Sequence, residues 1–391
     1  MTTRTYLDVH VLQSVPPSCI NRDDTGSPKS AVYGGVRRAR VSSQAWKRAT
    51  REAFKDLLPE KDRGVRTKRV VEMVSSGISR SQTGAGLQRE QVEELAVAVV
   101  AATGLKLTKA RNSERQDTEF LVLVSAQQAS ALAELAVAAL EAAGDVAGAK
   151  ATLGTAESKK QAKRVLQQGN SVDLALFGRM VANDTDLNVD ATCQVAHALS
   201  IHAAGTEFDY FTAVDDLKER SEDEGSGDGD AGAGMIGTIE FTSATLYRYA
   251  TINVEALVAA LGSRELAEEG IVAFLTAFVR SMPTGKQNTF ANNTLPEAVV
   301  VSLREDQAVS YVGAFEEPIS SSKGYALLGA ARLAEFAGEV ADAYGVEPVR
   351  SWVVGVGAVG EALASVGTRG SFATLPREVA GIAVARVAEP A

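Results

Sequence analysis

The chain is poor in the residues that staple, anchor or catalyse. Of 391 residues only two are cysteines, Cys19 and Cys193. That excludes a disulfide framework and makes a reducing compartment, the cytoplasm, the natural setting. No uninterrupted apolar run approaches the ~18 residues of a membrane span. Met1–Leu12 alternates polar with apolar residues and lacks the continuous apolar stretch of a signal peptide. There are three histidines, His10, His197 and His202. Cys193 and His197 would share one face of a helix, but two ligands do not make a zinc site. No metal or cofactor is expected, and nothing in the chain makes a positive case for an active site. Positive charge is outweighed: 40 Lys and Arg stand against 49 Asp and Glu, a formal net charge of -9.

Against that acidity, one stretch stands out. From Arg22 to Arg51 there are eight basic residues (Arg22, Lys29, Arg37, Arg38, Arg40, Lys47, Arg48, Arg51) and two acids, Asp23 and Asp24. Local field, not total charge, decides what binds, so a cationic island fits a polyanion. Ser42 or Ser43 can cap a helix running from about Gln44 to Leu57. Trp46, Thr50, Ala53 and Leu57 form its expected inward stripe. Lys47, Arg51 and Lys55 share another face, with Arg48 beside them. The first turn would offer backbone N–H groups, two hydroxyls and Gln44, a phosphate-binding helix start. Gly34-Gly35 upstream lets the backbone turn tightly or approach a ligand.

With 45% hydrophobic residues, the chain can bury a full core. Thr5–Leu12 alternates as a first strand, which Val15-Pro16-Pro17 ends. Pro59 closes the basic helix. From about Val65 to Gly169 the composition turns to alanine-rich helix, clearest over Glu90–Thr103 and Thr118–Ala143, with no intervening strand pattern. Lys159, Lys160, Lys163 and Arg164 lie there, the last three on one helix face. They fit either a solvated surface or a contact with a DNA backbone. Val172–Met180 and Asp190–His202 read as strands returning to the sheet, though the alanines of the second fit a helix equally well. Gly205–Gly237 is a long connection that starts with Phe208, Tyr210 and Phe211 and continues through an acidic, Gly-rich tract. Ile236–Asn253 is the best alternating strand pattern. Val254–Ser281 is helical with a break at Gly262, Pro283–Asn293 is a polar loop, Ala298–Leu303 a buried strand and Ser322–Tyr344 a helix. The order β-α-β-β-α-β predicts an α+β fold of RRM-like (ferredoxin-like) topology.

Two tempting motifs fail. Gly355-x-Gly357-x-x-Gly360 matches a dinucleotide fingerprint, but too little chain follows for a nucleotide fold. Thr284-Gly285-Lys286 lacks the first glycine and the magnesium-binding hydroxyl of a phosphate loop. Asp23-Asp24 could bind magnesium as in a nuclease; within a basic loop the pair is expected to orient arginines.

Two ordered clusters carry a resemblance. Asn21-Arg22-Asp23-Asp24, Gly34-Gly35-x-Arg37-Arg38-x-Arg40 and Ser42-Ser43-Gln44-x-x-Lys47-Arg48 form the first. Phe211-Thr212-Ala213-Val214-Asp215-Asp216-Leu217 and Tyr247-Arg248-Tyr249-Ala250-x-Ile252-Asn253 form the second. The chain thus resembles the CasC family, the backbone subunit of the type I-E CRISPR Cascade complex. The resemblance implies a palm of residues 1–58, 171–203 and 238–391, helical fingers over 59–170 and a thumb over 204–237. It implies a non-enzymatic subunit for antiviral defence that binds CRISPR RNA through Arg22, Lys29, Arg37, Arg38, Arg40, Ser42, Gln44, Lys47, Arg48 and Arg51. Met180 would prop a kinked nucleotide, and Phe211, Thr212 and Val214 would form the thumb wedge. The implied partners are CRISPR RNA, target DNA, further copies of the chain, and the large, small, guide-end-capping and guide-processing endonuclease subunits. Alternatives are a metal-dependent nuclease using Asp23 and Asp24, a nicotinamide-linked oxidoreductase using the C-terminal glycines, and a generic single-stranded nucleic-acid binder.

Overall fold

The computed structural model describes residues 4–111, 113–181, 184–213 and 235–388. β1 (Tyr6–Ser18) runs past the expected stop at Val15-Pro16-Pro17. Pro has no N–H to give a ladder, so the pairing jumps between Val15 and Ser18 instead of ending. β2 (Ser30–Tyr33) and β3 (Val36–Val41) form a hairpin in which Tyr33 pairs with Val36. Gly34 and Gly35 make the two-residue turn at φ of 59° and 76°, which only glycine adopts freely.

α1 (Ser43–Leu57) is capped by Ser42, whose hydroxyl accepts from the Ala45 N–H. Its buried stripe is Trp46, Thr50 and Phe54. Leu57, expected inside, is 40% exposed. Phe54 takes the inward place because its ring stacks on Phe177, centroids 6.2 Å apart. Leu58 is extended, as the residue before Pro59 must be, and the helix stops there.

A helical unit follows: β4 (Gly64–Thr67), α2 (Val70–Arg80), α3 (Arg89–Ala102), β5 (Leu107–Lys109), β6 (Gln116–Thr118), β7 (Val122–Ser125), α4 (Ala126–Ala143), α5 (Val146–Leu153) and α6 (Ala156–Gln167). Its core is separate from that of the sheet and is built mainly on its own residues, such as Val74, Leu95, Leu132 and Leu166, with Leu187 joining from beyond it. Two short antiparallel ladders, β4–β7 and β5–β6, correct the strand-free expectation. The helix predicted from Thr118 begins only at Ala126, because Val122–Ser125 is wholly buried as a strand and Ser125 then caps α4.

α7 (Val172–Phe177) replaces the strand expected over Val172–Met180. A short apolar run reads equally as a buried strand or a buried helix. β8 (Cys193–Val195) and β9 (Ala198–Ser200) decide the segment 190–202, which reads equally as strand or helix, in favour of strand. β10 (Glu207–Ala213) is a strand where a loop was expected; it pairs with the start of β11 (Met235–Asn253). α8 (Val254–Leu261) and α9 (Arg264–Arg280) are separated at Gly262, φ 67°. α10 (Gln287–Phe290), β12 (Ala298–Arg304), α11 (Ala326–Tyr344), β13 (Arg350–Gly355), α12 (Gly357–Ala362), β14 (Thr368–Arg369) and α13 (Leu375–Ala385) complete the chain.

The large sheet has the order β14-β13-β12-β1-β11-β9-β3-β2, with β8 and β10 also paired to β11. β1 is antiparallel to both β11 and β12. Both of its faces are buried. Leu7, Val9 and Val11 pack with α7, α9 and α13. Leu12 joins Tyr247, Val300 and α11 on the other side. Each fully buried aliphatic or aromatic side chain contributes about 1.5–3 kcal/mol, so the central strand is costly to disturb.

Candidate nucleic-acid interface

Two loops and one helix define an open cleft of about 1410 Å³. Its first wall is the turn after β1. Arg22 bridges Pro28, and the Lys29 N–H donates to the Asn21 carbonyl, 2.9 Å. Asp23 Oδ1 accepts from the Thr25 and Ser27 N–H groups, each 3.0 Å, and from Thr25 Oγ1, 2.7 Å. The Thr25 hydroxyl foremost holds the Asp23 carboxyl below its usual pKa. Asp23 therefore shapes its own turn and does not orient an arginine. Asn21 Oδ1 accepts from the Ser42 N–H, 2.8 Å, which ties this turn to the start of α1.

From α1 the cleft receives a stripe of Gln44, Arg48, Glu52 and Asp56. The spacing of four residues keeps them on one face. Neutral Gln44 and the cation Arg48 sit at its N-terminal end and the acids Glu52 and Asp56 at the other. Glu52 is paired with Lys55. The helix start is less open than its sequence suggests: the Ser43 N–H donates to His197 Nδ1, 3.2 Å, and the Ala45 N–H to Ser42 Oγ, 3.3 Å. Side chains, rather than a free helix terminus, carry the site.

The opposite wall is the segment 280–295, with Arg280, Lys286, Gln287 and Asn293 lining the cleft. The sequence pattern identified a polar loop here but not a partner wall. Gly285 passes so close to the first turn that a Cβ would sit 2.6 Å from the Cys19 and Ile20 carbonyl oxygens. Thr294 Oγ1 donates to the Ser14 carbonyl, 2.9 Å, which fixes the loop to the end of β1. Only Gly285 and the polar composition hinted at this approach.

The expected RNA-binding set divides. Arg22, Lys29, Ser42, Gln44 and Arg48 line the cleft. Lys47 turns away and lies over the Phe177 ring, 5.7 Å from its centroid. Arg51 is held by Asp173, Nε to Oδ2 3.0 Å. Arg37 is exposed on β3, and Arg40 reaches the Ser30 carbonyl and His197 Nδ1. Arg38 is not placed with the cleft at all: it is fully buried and donates to the carbonyls of Tyr33, Ser200, Phe315 and Glu316 at 2.9–3.1 Å. The Arg248 of the second motif cluster is buried likewise, stacked 3.6 Å from the Trp46 ring centroid and 4.5 Å from that of Phe278.

Met180 is 82% exposed. Beside it the buried Arg179 clamps the carbonyls of Leu123, Leu166 and Leu187, which fixes the backbone that presents the methionine. On the β10–β11 ribbon, Phe208 and Tyr210 are exposed. Phe211 lies over Gly237, against which a Cβ would clash. Thr212 pairs with Ile236 in the ladder; Val214 lies outside the described residues. On α6, Lys159, Lys160 and Arg164 are exposed, whereas Lys163 is bound by Asp184, 2.7 Å, and Asp186, 3.3 Å. Cys19 and Cys193 are free and buried, and burial pushes the Cys193 thiol up to about 12. Among the described residues no group of three or more His, Cys, Asp and Glu is arranged to hold a metal ion, and no helix is long and apolar enough to cross a membrane.

Solved structures set the class. The fold is similar along its whole length to a chain of a CRISPR RNA-guided surveillance complex described as pre-nicking: TM-score 0.79, 32% identity, 97% of this chain and 100% of that one covered. A second CRISPR RNA-guided surveillance complex supplies a chain with TM-score 0.71 and 28% identity, over 96% of this chain and 99% of the other. The protein belongs to the CT1975-like protein family, which it matches over residues 7–377. No curated protein sequence matches it. The kinship with Cascade backbone subunits expected from the two motif clusters is borne out.

Proposed function

We propose that this chain is the guide-RNA-binding backbone subunit of a type I-E Cascade complex and acts by binding rather than by turnover. The observation that carries this is the convergence of Arg22, Lys29, Arg48 and Lys286 from three separate segments on one open cleft in an acidic protein. Cations gathered this way gain from a phosphate backbone and its release of counterions. The palm reading is supported by the order β12-β1-β11-β9, antiparallel throughout, which fits an RRM-like sheet. The β11 tyrosines that such a sheet would use for stacking, Tyr247 and Tyr249, are buried under α11 and residues 311–315. Loops and α1 are left as the surface that grips the guide.

In this reading residues 59–170 are the fingers and residues 204–237, of which 214–234 lie outside the described residues, are the thumb. Copies stack head to tail along one CRISPR RNA, since a heterologous contact that does not close generates a filament. The ribbon's exposed Phe208 and Tyr210 support a wedge function. Guide bases stay free to pair with target DNA, so pairing and not the protein reads sequence. Lys159, Lys160 and Arg164 serve the DNA backbone, and the assembly works in the cytoplasm with the other Cascade subunits.

The test is an Arg22→Ala, Arg48→Ala double variant, with RNA affinity measured against salt. Each lost phosphate contact lowers the slope of log K on log salt by ~0.7 for single strands, so a loss of roughly 1.4 is expected. An unchanged slope overturns the cleft as the guide site.

A further inference from the structure

The wall formed by segment 280–295 carries more than charge. Gln287 Nε2 donates to Asn293 Oδ1 at 2.6 Å, and both side chains line the cleft. This linked pair retains one amide oxygen and one amide NH₂ with no partner among the described residues. One free acceptor and one free donor on a linked pair match a hydroxyl, which both gives and takes a hydrogen bond. A phosphate offers only acceptors. A ribose 2′-hydroxyl is the group in a nucleic-acid backbone that has this dual character, and it is what distinguishes RNA from DNA.

The pair is held in place by backbone under constraint. Lys286 and Ala291, on either side of the turn that carries Gln287, both have φ of 46°, unusual for residues with a Cβ. Gly285 is pinned against the Cys19 and Ile20 carbonyls. Next to the pair, Asn292 is 2% exposed and its Oδ1 has no hydrogen-bond partner. Conformations of this cost persist where surrounding structure fixes them, and they gather at binding sites.

We propose that Gln287 and Asn293 read the ribose 2′-hydroxyl and make the cleft select RNA over single-stranded DNA, while Lys286 beside them contacts phosphate without regard to the sugar. This rests on the guide-binding role proposed above. The experiment uses the full-length chain and three labelled single strands of one sequence: RNA, DNA and 2′-O-methyl RNA. The wild type binds RNA more tightly than DNA and 2′-O-methyl RNA. In Gln287→Leu, Asn293→Leu the RNA affinity falls roughly fivefold to tenfold, the size of one or two hydrogen bonds, and DNA affinity holds. In Lys286→Met both fall together. Thermal unfolding of each variant matches wild type, since Gln287 and Asn293 are at the surface. An unchanged RNA-to-DNA ratio in the amide variant, or equal wild-type binding to RNA and DNA, overturns the sugar reading while the cleft stands. Wild-type protein that binds no RNA overturns both.

Discussion

Arg38 offers the sharpest separation of a gripping residue from a structural one. It belongs to a run of arginines that sequence alone assigns to RNA, yet its guanidinium is fully buried and donates to four carbonyls contributed by the hairpin, by β9 and by residues 315–316. Arg38→Met keeps the length and removes the donors. Hydrogen bonds from a charged donor contribute about 1.5–3 kcal/mol each, but relaxation and water entry recover part of that. The charge leaves with the side chain, so the cost is that of buried carbonyls left unpaired, together about 3–5 kcal/mol after relaxation. At about 2–4 °C per kcal/mol for a unit of 150–250 residues, the melting temperature falls by about 6–20 °C. Differential scanning calorimetry measures the fall. RNA titrations below the transition measure the salt slope, which stays at the wild-type value. If the variant melts like wild type and loses one phosphate's worth of slope, the guanidinium leaves its carbonyl cage to bind RNA and the structural assignment is wrong.

Other perturbations follow from the same geometry. Gly285→Ala pushes the second wall off the Cys19 and Ile20 carbonyls, costing about 1–3 kcal/mol in urea unfolding and weakening RNA binding; full RNA affinity in a normally stable variant would refute the close approach. His10 is fully buried among Tyr247, Tyr249 and Tyr311, with Arg304 and Asp8 near, and burial pushes its pKa down to about 3. The unfolded chain takes up that proton and the folded chain does not, so between about pH 3 and pH 6.5 His10 adds stability as pH rises, at about 1.4 kcal/mol per pH unit. Burial raises the Asp8 pKa and so acts in the opposite direction, and comparison with His10→Gln isolates the histidine; equal pH slopes in the two proteins would contradict it. On α6, Lys159→Ala, Lys160→Ala and Arg164→Ala together reduce target-DNA capture by the assembled complex, and Lys163→Ala, already neutralised by Asp184 and Asp186, does not; the reverse ranking in a gel-shift assay counts against this face.

Elements defined by local chemistry were legible from the sequence. β11 and β12 declared themselves by alternation or a β-branched run, α1 by its serine cap and following proline, and the α8–α9 break by Gly262. Elements decided by distant partners were not. α7 is a six-residue apolar run that only its packing makes helical. β10 is a strand because β11 lies beside it. The site shows the same division. Arg22, Lys29 and Arg48, which charge and spacing single out, line one cleft. Arg38 and Arg51 carry the same charge but meet carbonyls and a carboxylate from residues more than a hundred positions away, which no local pattern reveals. The second wall was missed for the same reason.

Asp173 gives one more consequence. Its carboxylate accepts from the Gly64 N–H, 2.7 Å, from Ser171 Oγ, 2.8 Å, and from Arg51 on α1, 3.0 Å. The points where the chain leaves for the helical unit and returns from it are therefore knotted at a single acid beside the helix that carries Arg48. Since the unit's core is also separate from that of the sheet, it is a cassette: a differently sized set of helices grafted between residues 64 and 171, with the Asp173 knot kept, is expected to leave the cleft's framework in place.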